Sequence, residues 1–79
     1  MFYKIVIYVA KQRRLHYVTT TGNESNVMTK DCIFDDYWNA ATYYNGLRWH
    51  LNKEDTIFLM AISPRVSEER LIEKSAGSI

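Results

Sequence analysis

Apolar and polar positions alternate from the start of the chain. In "YKIVIYVA", Tyr3, Ile5, Ile7 and Val9 fall on one side of a pleated backbone, with Lys4, Val6 and Tyr8 on the other. β-Branched and aromatic residues suit such a surface, so the stretch predicts a strand. "LHYVTTT" predicts a second strand returning from the polar tip "KQRR", which makes a hairpin with a basic turn. "GNESN" then reads as a turn, because Gly22 and Asn23 tolerate the positive φ of a tight reversal. "VMTKDCIF" fits either a third strand or a loop leading to a helix.

The period changes in "FDDYWNAATYY". Phe34, Tyr37, Ala41 and Tyr44 share one helical stripe, with Ala40 beside it. Asp35 stands where an N-cap is needed, and Asp36 suits the positive end of the helix dipole. Asn45-Gly46 leaves two readings of "YYNGLRWHL". If the helix stops, Gly46 takes the left-handed position after it and "LRWHL" alternates as a strand, Leu47, Trp49 and Leu51 opposing Arg48 and His50. If it continues, Gly46 costs about 1 kcal/mol relative to Ala, while Leu47 and Leu51 stay near the apolar stripe. The stop is the preferred reading.

"TIFLMAIS" predicts a strand that is apolar on both faces, ended by Pro64, which has no N–H to donate. "VSEERLIEKSAG" predicts a short terminal helix capped by Ser67, with Glu68 and Glu69 in the first turn and Val66 stapled to Leu71. The chain is therefore expected to be α+β: a small antiparallel sheet, ββ(β)αβ-like, with one main helix on one face and a short C-terminal helix. Residues 1–79 are expected to form a single domain.

Composition narrows the chemistry. Net charge is +1, so no global field favours nucleic acid. Cys32 is the single cysteine, which excludes an intramolecular disulfide, and with no secretory leader the expectation is a cytoplasmic protein. The apolar N-terminal stretch is too short to span a bilayer, so no membrane is expected. Asp31 precedes Cys32, and its charge would raise a thiol pKa rather than activate a nucleophile. His16 and His50 have no second His or Cys three or four residues away, so neither a metal nor another cofactor is expected. Asp35 and Asp36 are adjacent and diverge on a helix, which suits a cap better than an acid/base pair. No glycine-rich phosphate loop is present. The chain is not expected to be an enzyme.

Two features exceed what a minimal fold needs. Six Tyr, three Phe and two Trp are many for this length, and Trp38, Tyr43, Arg48, Trp49 and His50 cluster residue types that dominate protein interfaces. The strands also look apolar on both sides, so unless the C-terminal helix covers the second face, a partner or a second copy must. The expectation is a protein-binding module that forms a homo-oligomer. The alternative is nucleic-acid or nucleotide binding through the basic hairpin, with Lys11, Arg13 and Arg14 on phosphates and His16 and Tyr17 stacking on bases.

The succession "LHYVTTTG", "IFDDYWNAATYY" and an apolar strand resembles small bacteriophage accessory proteins, in which a hairpin leads to an "F-D…A…Y" helix and a closing strand. Here Phe34, Asp35, Ala41 and Tyr44 carry the likeness, over about two thirds of the chain. These are fold-level positions and bring no functional site with them. The resemblance implies that compact inhibitors of host or defence proteins are candidates. The near-neutral charge departs from the acidic DNA-mimic subgroup.

Overall fold

The N-terminal alternation folds as expected. In the computed structural model, which describes residues 1–79, β1 (Phe2–Val9) pairs antiparallel with β2 (Arg14–Val18) around a turn at residues 10–13. β3 (Glu24–Ser25), α1 (Tyr37–Leu47), β4 (Thr56–Ile62) and β5 (Glu69–Ala76) follow. The strands form one five-stranded antiparallel sheet in the order β3-β2-β1-β4-β5. The architecture is α+β, with one α-helix laid over the central strands β1 and β4.

Period-2 burial decides the core. Ile5 and Ile7 of β1 and Ile57 and Leu59 of β4 are all fully buried, and they meet Ala40, Ala41 and Tyr44 of α1. The two alanines let the helix sit close to the sheet, as the stripe predicts. Phe34 sets the approach, because it exchanges two 2.8 Å backbone hydrogen bonds with Tyr3 at the start of β1. The stretch before it, offered as strand or loop, is a loop holding one 3₁₀ turn, Lys30–Cys32. The third strand lies earlier, at Glu24–Ser25, just after the Gly22 turn, where φ is +89°.

Three expectations fail. Asp35 is not the N-cap. Asp36 is, with extended backbone, and its Oδ1 accepts from the Trp38 N–H at 3.4 Å. The strand reading of 47–51 also fails. Gly46 does not take the left-handed conformation, α1 runs on to Leu47, and the His50 N–H bonds the Leu47 carbonyl in a closing turn. The favoured stop had no free ladder to join, since β1 and β5 occupy both sides of β4.

The C-terminal helix is the third failure: residues 69–76 are strand β5. Ser67 does not cap a helix but adopts a left-handed φ of 52°, and the Ser63 N–H reaches the Glu68 carbonyl to close the reversal. A helix this short is marginal in water, whereas the same residues along β4 satisfy the backbone groups of an otherwise open edge.

Gly46 lies inside the helix, and nothing stands within 4 Å of where a Cβ would be. Gly46→Ala should therefore stabilise the fold by about 1 kcal/mol, read as a higher urea midpoint at unchanged slope. A lower midpoint would contradict the helical placement.

Candidate interaction surface

The strand register sorts every side chain to one of two faces. Tyr3, Ile5, Ile7 and Val9 face the helix, so Phe2, Lys4, Val6 and Tyr8 face away from it. Tyr8 opposes Leu15 and Val6 opposes Tyr17, which adds two β2 residues to the open face. β4 adds Phe58, Met60 and Ile62, and β5 adds Leu71 opposite Met60. Cross-strand rows such as Tyr17–Val6–Phe58 pack well enough to leave Val6 only 7% exposed. No helix or other layer of the chain covers this face, and Leu15 and Leu71 remain 42% and 46% exposed. Its central charge is neutralised in place, with Lys4 Nζ 2.7 Å from Glu69 Oε1.

The aromatic cluster foreseen around the helix is dispersed. Trp38 is 73% exposed at the N-terminal end of α1, edge-on to Tyr37, which is itself edge-on to Tyr3. Trp49 is 58% exposed beyond the other end, with the Arg48 guanidinium 4.8 Å above its ring. The helix between them spans about 16 Å, so the two indoles do not form one patch. Arg48 also comes within 4.0 Å of Glu73 on β5. Tyr43 is half-buried, packed on Phe34 and against the Gly22 backbone, so it supports the fold.

His50 turns up elsewhere. It lines a cleft of about 290 Å³ together with Gln12, His16, Glu24, Asn52 and Asp55, floored by Ile7 and Val9. The two histidines, assigned to separate candidate sites by sequence, share this cleft. Both ring nitrogens of His16 are engaged, Nδ1 with Glu24 Oε1 at 3.0 Å and Nε2 with Gln12 Oε1 at 2.8 Å. Asp55 is buried, and its Oδ1 accepts from the Ala10 N–H, anchoring the hairpin turn. No three ligating groups come together to hold a metal ion.

The basic hairpin is split by the same register. Lys11, Arg13 and Arg14 are exposed at or beside the tip, where Arg13 takes a left-handed φ of 53°. His16 points to the helix side and Tyr17 to the open face, so the two rings cannot form one stacking platform with those cations. No helix of the chain is long and apolar enough to cross a membrane.

No family model, curated protein or solved structure matches the chain. The surface must be read from its own chemistry. Sequence reasoning noted the two-sided strands but did not place Leu15 and Tyr17 among the open-face residues. Hairpin parity carries that signal: a turn at residues 10–13 sets Leu15 opposite Tyr8 and so on Tyr8's face.

Proposed function

We propose that this chain acts by binding protein, without catalysis, through the open face of its sheet, and that it self-associates. What supports the reading is the uncovered apolar face itself. Tyr8, Leu15, Phe58 and Leu71 lie there in register, and the segment expected to cover them is instead part of the sheet. Monomers rarely keep such a face without a partner. Trp38 and the Arg48–Trp49 pair, exposed at opposite ends of the helix, offer separate contacts on the other side of the sheet. The partner surface is apolar and near-neutral, matching a face whose central lysine is already paired. Following the resemblance, the target belongs among host or defence proteins met in the cytoplasm, and the chain is an inhibitor of the phage accessory kind.

The test is a nuclease-treated pull-down with the wild type, Leu15→Lys, Trp38→Ala and Trp49→Ala. Leu15 is already largely exposed, so its replacement should leave the fold intact by circular dichroism. One protein retained by the wild type and lost from Leu15→Lys is the expected result. Equal retention by wild type and Leu15→Lys, or loss of all bound material on nuclease treatment, would overturn the reading. Retention by both Trp variants would confine the contact to the sheet.

A further inference from the structure

We infer that the partner for self-association is a second copy of this chain, paired antiparallel along the exposed edge of β5. The inference deepens the protein-binding reading and rests on it.

β5 is an eight-residue edge strand bonded on one side only, to β4. Its sequence from Glu69 to Lys74 is "ERLIEK", acid-base-apolar-apolar-acid-base. Reversed against itself, that string is complementary. Arg70 of each copy lies opposite Glu73 of the other, Glu69 lies opposite Lys74, and Leu71 meets Ile72 at the two-fold axis. Charged residues on an edge normally block pairing between molecules. Here they block it only in the wrong registers.

The β-bulge makes this register possible. In a two-fold antiparallel pair, opposed side chains must lie on the same face, which in a regular strand forbids pairing residues of opposite parity. The register of β5 on β4 slips at Leu59/Met60, leaving Ile72 without a partner. As a result Glu69 and Lys74 both lie on the open face, opposite Ile62 and Phe58. Arg70 and Glu73 both lie on the helix face, opposite Ala61 and Leu59. The one register that matches charges is thus also one that matches faces. Sliding one strand past the other by a single residue clashes the faces, and the next face-matched register sets Leu71 against Lys74.

Inside one copy Arg70 and Lys74 have no ion-pair partner, while Glu69 is shared with Lys4 and Glu73 is 4.0 Å from Arg48. The two unpaired bases are those that the second copy's acids would meet. The two-fold axis stands perpendicular to the sheet, so both open faces end up on the same side and join into one larger apolar surface. Such a surface suits a single extended target better than either half.

The test exploits the symmetry. Wild-type mass by light scattering should approach twice 9.3 kDa at high concentration and fall toward 9.3 kDa on dilution. Arg70→Glu and Glu73→Arg should each raise the dimer dissociation constant on the order of tenfold or more, because each change acts twice per dimer. Mixed in equal amounts, the two variants restore both opposite-sign pairs and should recover the dimer mass. As a check that needs no variant, wild-type amides at residues 70–74 should gain exchange protection with concentration. A wild type that stays monomeric, or a dimer unmoved by Arg70→Glu, or a mixture no better than its components, would overturn the inference. A dimer lost in Leu15→Lys but kept in Arg70→Glu would likewise overturn it, while leaving the protein-binding reading standing.

Discussion

Tyr44→Ala should leave the chain largely unfolded at 25 °C. Tyr44 is fully buried against Ile5, Ile57 and Leu59, and its hydroxyl lies 2.7 Å from Ser75 Oγ, tying the helix to β5. Truncating a buried aromatic costs about 3–5 kcal/mol. A core of this size supplies about 3–5 kcal/mol in all, so little is left. Tyr44→Phe isolates the hydroxyl, and its loss should be near 1 kcal/mol by urea denaturation, the hydrogen bond alone. An Ala variant as stable as the Phe variant would mean that the ring contributes little.

The same residue contributes to the loss of stability at high pH. Burial pushes the Tyr44 hydroxyl above its usual 10.0, an effect the Ser75 hydrogen bond lowers, nearby Glu73 raises and Arg48 lowers. The folded chain therefore holds this proton at a pH where the unfolded chain has released it. That contribution to stability is fully present below pH 10.0 and is lost as pH rises from there through the higher native value. In Tyr44→Phe this part of the alkaline slope should vanish; an unchanged pH profile would remove Tyr44 as its source.

Gly77→Ala is expected to destabilise the fold by about 1–3 kcal/mol. A Cβ there would overlap the backbone oxygens of Asn52 and Leu51, and neither can move as a side-chain tip would. Around Gly77 the tail after β5 is stitched to the loop before β4. Its N–H bonds the Asp55 carbonyl, and the Ile79 N–H bonds that of Leu51, each at 3.0 Å. The substitution should loosen the His50–Asp55 wall of the cleft and speed amide exchange at Ile79. The same exchange at Gly46 should have the opposite sign, and a matching sign at both sites would show that the close approach is absent.

Much of the framework was legible in the sequence. Alternating β-branched and aromatic residues over 3–10 and the apolar run over 56–63 specified two strands, because such residues suit a pleated surface. The 3.6-residue stripe ending in Tyr44 specified the helix and its buried face. Residue types also disclosed the aromatic excess. Local preference could not settle the ambiguous pieces. Asn45-Gly46 suits both a stop and a passage, and only the lack of a free ladder beside β4 kept the helix running. "SEERLIEK" carries helical capping signals, yet it lies as a strand because an open edge of β4 offers its whole backbone a set of partners. Those non-local hydrogen bonds are invisible in any window of the chain. They decide that the second face of the sheet stays bare and that His16 and His50 line one cleft. They also place the self-complementary charges of β5 on an outer edge.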